Sequence, residues 1–191
     1  IPALKRKADG SNDSPVKKEA NTSLGRFAFG NKATDAYTVL GEAYYKENPL
    51  VMINPYKEWV VWKWRGTRLT RRVVRRYSWN EQVAEELAYD GLGVDPEDSR
   101  LWALLINVYA AQWNEVTGTL RVMRQVQDRG GEVDEDLISS LEEEKTRLKK
   151  ANMLIASAGR TALFDALRKA LEDNNAPVAI TIIEALRDIS V

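Results

Sequence analysis

Apolar positions along most of the chain recur three and four residues apart, the spacing of a helix face, and short polar runs separate the stripes. At the start, Ile1, Leu4 and Ala8 share one face, Asp9-Gly10-Ser11-Asn12-Asp13 interrupts them, and Val16, Ala20 and Leu24 form a second stripe. The far end repeats the plan: Leu163, Leu167 and Leu171, then Asp173-Asn174-Asn175, then Val178, Ile182 and Leu186. Each predicts an antiparallel helix pair, with Pro15 and Pro177 opening the second helix, where a missing N–H costs nothing. In between, Tyr37, Leu40, Gly41 and Tyr44 have a spacing that Trp102, Leu105, Ile106 and Tyr109 repeat. Ala84, Ala88 and Gly91 set small residues along a further helix that precedes Pro96. Gly130-Gly131 ends one helix, and 133–157 reads as a long one, with Asp134, Glu135 and Asp136 at its start and Leu137, Leu141, Leu148 and Ile155 as its stripe. Glu143 and Arg147 stand four apart for a surface pair.

The stretch Asn48 to Ser78 breaks this period. Trp59-Val60-Val61-Trp62-Lys63-Trp64, then Arg65-Gly66-Thr67-Arg68, then Leu69 to Val74 is rich in aromatic and β-branched residues around a glycine turn, which predicts a β-hairpin. Pro49 and Pro55 mark the exit from the helix before it. At a period of two, Val60, Trp62, Trp64, Leu69 and Val73 fall on one face of the ribbon, and Lys63, Arg68, Arg72 and Arg76 on the other. A two-stranded ribbon is not stable alone in water, so the apolar face is expected to rest on helices.

The helix pairs at the two ends resemble HEAT repeats: Lys17 stands where that family often has a basic residue after a valine, although Ala179 fills the matching place in the last pair. The Tyr37 and Trp102 series, with Ala84 and Pro96, resemble tetratricopeptide repeats over roughly 34–47 and 79–129, the hairpin then being an insert between the two helices of one unit. The resulting expectation is a mainly α protein, an α-α superhelix of HEAT-like and tetratricopeptide-like helix pairs with an inserted β-hairpin. Its segments are 1–33, a HEAT-like pair; 34–130, tetratricopeptide-like helices with an insert at about 50–78; and 131–191, a long helix and a second HEAT-like pair. The resemblance implies an adaptor or scaffold that binds a protein or peptide in a groove; the expected contact surface is the hairpin's basic face together with Tyr37, Glu42, Tyr45, Asn107 and Gln112, which the repeat register turns to that groove.

Composition narrows the chemistry. Of 191 residues, 28 are Lys or Arg and 28 Asp or Glu, and none is His or Cys. Missing His and Cys remove Ser-His and Cys-His nucleophile pairs, thiolate chemistry and nearly every structural zinc site. No catalytic residue, metal ligand set or cofactor is therefore assigned. No run of eighteen apolar residues is present, so no membrane span is expected. The opening Ile1-Pro2-Ala3-Leu4 and uncapped terminal repeats suggest an excised piece of a longer solenoid. The compartment is left open, with the cytoplasm slightly preferred.

Charge then singles out the hairpin. Residues 57–76 hold eight cations, Lys57, Lys63, Arg65, Arg68, Arg71, Arg72, Arg75 and Arg76, against Glu58, a local charge of +7. With Tyr56, Trp59, Trp62 and Trp64 interleaved, they have the composition that grips phosphates and stacks bases, so the hairpin is a second candidate site, for nucleic acid or another polyanion. Residues 77–99, however, carry seven acids and no cation, a charge of −7, and a hairpin folded back on that helix neutralises it. The zero net charge of the chain favours this structural reading. Glu81 with Glu85, and Glu86 with Asp90, lie one turn apart and are the only basis for a carboxylate enzyme, the least favoured class. Trp102, Tyr109, Trp113, Tyr37 and Tyr44 sit at helical spacing and are read as core wedges before a ligand pocket.

Overall fold

The computed structural model describes 2–24, 32–54, 57–65 and 68–189, with the side chains of 2–5, 23–24, 64–65, 150–157 and 189 outside the description. The chain is mainly α-helical, with one antiparallel β-hairpin inserted between two helices that pack on each other. It divides into two compact units, Ile1–Leu105 and Ile106–Val191, and the division falls inside one long helix, α5 (Ser99–Asp128).

The first unit opens with the expected helix pair, α1 (Pro2–Gly10) and α2 (Ser14–Leu24). Ala8 and Ala20 are buried there, whereas the stripe positions Ile1, Leu4 and Leu24 lie outside the described side chains, and Val16 is exposed. Next comes α3 (Ala33–Tyr45), which packs on α1 and on α4 (Arg76–Leu92). The small residues named from the sequence explain how closely these helices approach. Gly41 is buried, and a Cβ added to it would stand 2.6 Å from Leu104 Cδ2 and 3.8 Å from the Ala84 carbonyl. At Gly91 a Cβ would meet both Leu101 methyls, at 2.6 and 2.9 Å, and Tyr37 Cβ at 3.0 Å. Ala84 and Ala88 are fully buried between them. Arg100, at the start of α5, donates to Asp98 at 2.7 Å and to Asp35 on α3 at 2.8 Å, tying the two helix starts together. Those bonds hold both carboxyls below the usual aspartate range.

The second unit holds the rest of α5 with α6 (Glu135–Ser157), α7 (Gly159–Glu172) and α8 (Ala176–Ile189). Gly130 ends α5 in the left-handed region at φ +76°, and the Gly131 N–H closes the turn on the Val126 carbonyl at 3.0 Å. Asp134 does not belong to the first turn of α6 but caps it, accepting the Leu137 N–H at 2.9 Å. Arg147 pairs with Glu144, three residues back, at 2.7 Å. Helices α7 and α8 form the expected pair; Asn174 makes the left-handed exit from α7, and Asn175 accepts the Val178 N–H at 3.3 Å to start α8. The stripe read for α7 is corrected at its end: Leu163 is fully buried but Leu171 is exposed. Steps of four residues advance about 40° around a helix, so two steps carry Leu171 off the core face, which Ala162, Ala166 and Ala170 occupy instead.

Candidate interaction surface on the hairpin

Strands β1 (Val60–Arg65) and β2 (Arg68–Val73) pair with Val60 opposite Val73, Trp62 opposite Arg71, Lys63 opposite Thr70 and Trp64 opposite Leu69. Cross-strand partners share a face, so this register collects Val60, Trp62, Trp64, Leu69 and Val73 on one side, as the period of two predicts. It also places Arg71 among them, and puts Val61, Lys63, Arg68 and Arg72 on the other side. Arg76 belongs to the first turn of α4 and not to the ribbon.

The side that rests on the helices is the opposite of the one expected. Val61 is buried, whereas Trp62, Leu69 and Val73 are 55, 50 and 55% exposed. Two attachments account for this. Lys63 reaches Glu86 on α4 at 2.5 Å and lies over the Tyr89 ring at 5.7 Å, so the acidic helix draws the basic face inward. An aromatic anchor at the base of the ribbon holds it there: the Trp79 ring on α4 meets the edges of Trp59 at 4.9 Å and Tyr44 at 5.5 Å, and its Nε1–H donates to the Val60 carbonyl at 3.0 Å. Burial supplied by Val61, Trp79 and Trp59 thus replaces burial of the ribbon's apolar face. Arg76 lies over the Trp59 ring at 5.8 Å and completes the anchor. The hairpin is neutralised in part by α4, as its charge suggested, through the Lys63–Glu86 pair; Arg71 instead contacts Glu58 at 3.4 Å.

The candidate cations are therefore divided. Lys63, Arg68 and Arg72 lie on the helix-side face, Arg71 on the outward apolar face, and Arg75 and Arg76 beyond the strand end; Arg68, Arg71, Arg72, Arg75 and Arg76 are exposed. The Arg65 side chain, like that of Trp64 and the turn at 66–67, lies outside the described residues. The register sets Arg71 opposite Trp62 on the outward face and puts Lys63, Arg68 and Arg72 on the other.

Most of the expected groove residues are corrected. Tyr37, Asn107 and Gln112 are buried. Tyr37 packs on Gly91, and burial pushes its phenol above the usual tyrosine range while a hydrogen bond from Arg6 opposes that shift. Asn107 donates to the Ala166 carbonyl at 3.1 Å, and Gln112 accepts from Arg147 at 2.7 Å. Their polarity serves bonds inside the second unit, and a helical register alone does not distinguish such a residue from one facing a groove. Glu42 and Tyr45 are half-buried on α3. Of the carboxylate pairs, Glu85 is buried and Glu86 holds Lys63, and no cluster of metal-ligating side chains occurs among the described residues. No described helix is long and apolar enough to cross a membrane. Comparison with family models, curated proteins and solved structures found no match.

Proposed function

We propose that the chain is a non-catalytic protein-interaction module and that the outward face of its hairpin is the contact surface. The observation that carries this reading is the direction of the ribbon: Trp62, Leu69 and Val73 face solvent although the opposite face is anchored on α4. Trp62 is the side-chain type that most often dominates binding energy, and a Leu or Val side chain fully covered by a partner contributes about 1.5–3 kcal/mol. The helix pairs α1/α2, α3/α4 and α7/α8 support the wider reading of a helical-repeat scaffold of the HEAT-like and tetratricopeptide-like kind, in which the hairpin is the specialised insert. Lys63, Arg68 and Arg72 lie on the face away from Trp62, and Arg71, which stands opposite Trp62, contacts Glu58; this favours a protein partner over a polyanion, because phosphate gripping and base stacking need several free arginines beside the rings.

Selection from a displayed random-peptide library against the intact chain tests the proposal. Binders are expected whose affinity falls at least tenfold on Trp62→Ser and on Leu69→Ser, with unchanged circular dichroism. Binders indifferent to both substitutions, or a library that yields none while a salt-sensitive affinity for single-stranded DNA emerges, would overturn it.

A further inference from the structure

We infer that the outer edge of β2 is a strand-addition site for an extended acidic segment of a partner protein, one in which carboxylate and apolar residues alternate; the inference rests on the interaction reading above. Among the described residues the sheet has two strands. The β1 side is the one that packs on α4, and its outward-pointing Val60 carbonyl is already taken by Trp79. The β2 side is open: every residue from Arg68 to Val73 is exposed except Thr70, which is half-buried and donates to the Lys63 carbonyl at 2.8 Å. The Val74 N–H bonds to the Trp59 carbonyl at 2.9 Å, and the antiparallel alternation counted from that pair turns the peptide groups of Leu69, Arg71 and Val73 to the outer edge.

A third strand laid along that edge must alternate its side chains between the two faces of the sheet. On the outward face its residues lie beside Leu69 and Val73, with Arg71 between them held by Glu58, which suits apolar side chains. On the other face they lie beside Arg68 and Arg72, which suits carboxylates. The same arginines reject a second copy of this chain, since edge-to-edge pairing of β2 with itself would bring Arg68, Arg71 and Arg72 against one another. The charge of the edge therefore selects an acidic guest and prevents self-association.

The test uses the whole chain, labelled with nitrogen-15, and four probes: a seven-residue peptide alternating Glu and Val, its Lys-Val counterpart, the Glu-Val peptide N-methylated at every second residue, and a ten-nucleotide oligothymidylate. The Glu-Val peptide is expected to shift the amides of Leu69, Arg71 and Val73, to bind at least tenfold tighter than the Lys-Val and N-methylated peptides, and to bind tighter than the oligonucleotide. In the double variant Arg68→Glu, Arg72→Glu, the preference between Glu-Val and Lys-Val should reverse. Equal binding of the N-methylated peptide refutes strand addition, and equal binding of the Lys-Val peptide refutes selection by the arginines. Either result leaves the apolar contact face standing if Trp62→Ser still weakens binding. Tighter binding of the oligonucleotide, or no binding by any peptide, refutes the inference outright.

Discussion

Replacement of Gly91 by alanine tests the close packing of the first unit where it is tightest. The new Cβ would lie 2.6 and 2.9 Å from the two methyls of Leu101 and 3.0 Å from Tyr37 Cβ. Leu101 is fully buried and cannot swing aside into solvent, and the Tyr37 atom is the root of its side chain, fixed to the backbone of α3. Overpacking of this kind costs about 1–3 kcal/mol, with three close atoms placing it at the upper end. Alanine's better helix propensity returns at most about 1 kcal/mol, and less in the last turn of α4, where Gly91 sits. A net loss of about 2 kcal/mol follows. Gly118 provides the opposite case: it lies inside α5 with nothing within 4 Å of an added Cβ, so Gly118→Ala should gain about 0.5–1 kcal/mol. Urea unfolding followed by tryptophan fluorescence suits the comparison at Gly91, because five of the six tryptophans, all but Trp113, lie in the first unit. Stability of the second unit is better followed by hydrogen exchange of α5 amides beyond Leu105. A Gly91→Ala protein as stable as the parent would show that α3, α4 and α5 do not approach as closely as described.

Two further perturbations address the anchor and the charge pairs. Trp79→Ala should destabilise the first unit by about 3–5 kcal/mol and speed amide exchange in β1 and β2, whereas Trp79→Phe, which keeps a ring but loses the bond to the Val60 carbonyl, should cost about 1–2 kcal/mol; a Trp79→Phe protein as stable as the parent would show that the hydrogen bond does not matter, and equal losses in the two that the ring does not. Arg100→Gln should lower stability by an amount that depends on pH. Hydrogen bonds from Arg100 depress the Asp35 and Asp98 carboxyls in the folded chain, so the stabilisation is complete above their ordinary values near 3.8 and is lost as pH falls through the lower folded values. The gap between parent and Arg100→Gln is thus constant from neutral pH to about pH 5 and closes in stronger acid; a gap that persists undiminished at pH 2 contradicts the pairing.

Much of the fold was legible in the sequence because it depends on local rules. Asn175 before Pro177, Gly130-Gly131 and the small residues of α4 mark helix starts, helix ends and close approaches through chemistry confined to a few neighbours. The hairpin and even its pairing parity followed from a period of two. What the period could not convey was which face turns inward, since that depends on what α4 offers from elsewhere in the chain. Burial of an apolar face is the usual outcome, but Lys63 finding Glu86 and Tyr89, together with Trp59 and Trp79 packing at the base, outweighs it here. Tyr37, Asn107 and Gln112 misled for a related reason: a polar or amphipathic side chain on a helix looks the same in sequence whether its partner is another molecule or a carbonyl, guanidinium or glycine of its own unit.

The orientation of the ribbon is the claim on which the functional reading depends, and the cysteine-free chain makes it directly measurable. Single variants Val61→Cys, Trp62→Cys and Val73→Cys can be titrated with a thiol-reactive dye under native conditions. Cysteines at 62 and 73 are expected to react at nearly the rate of the unfolded chain and the one at 61 at least tenfold more slowly. Fast labelling at 61 with protection at 62 and 73 would mean that the apolar face lies against the helices, and the proposed contact surface would not exist.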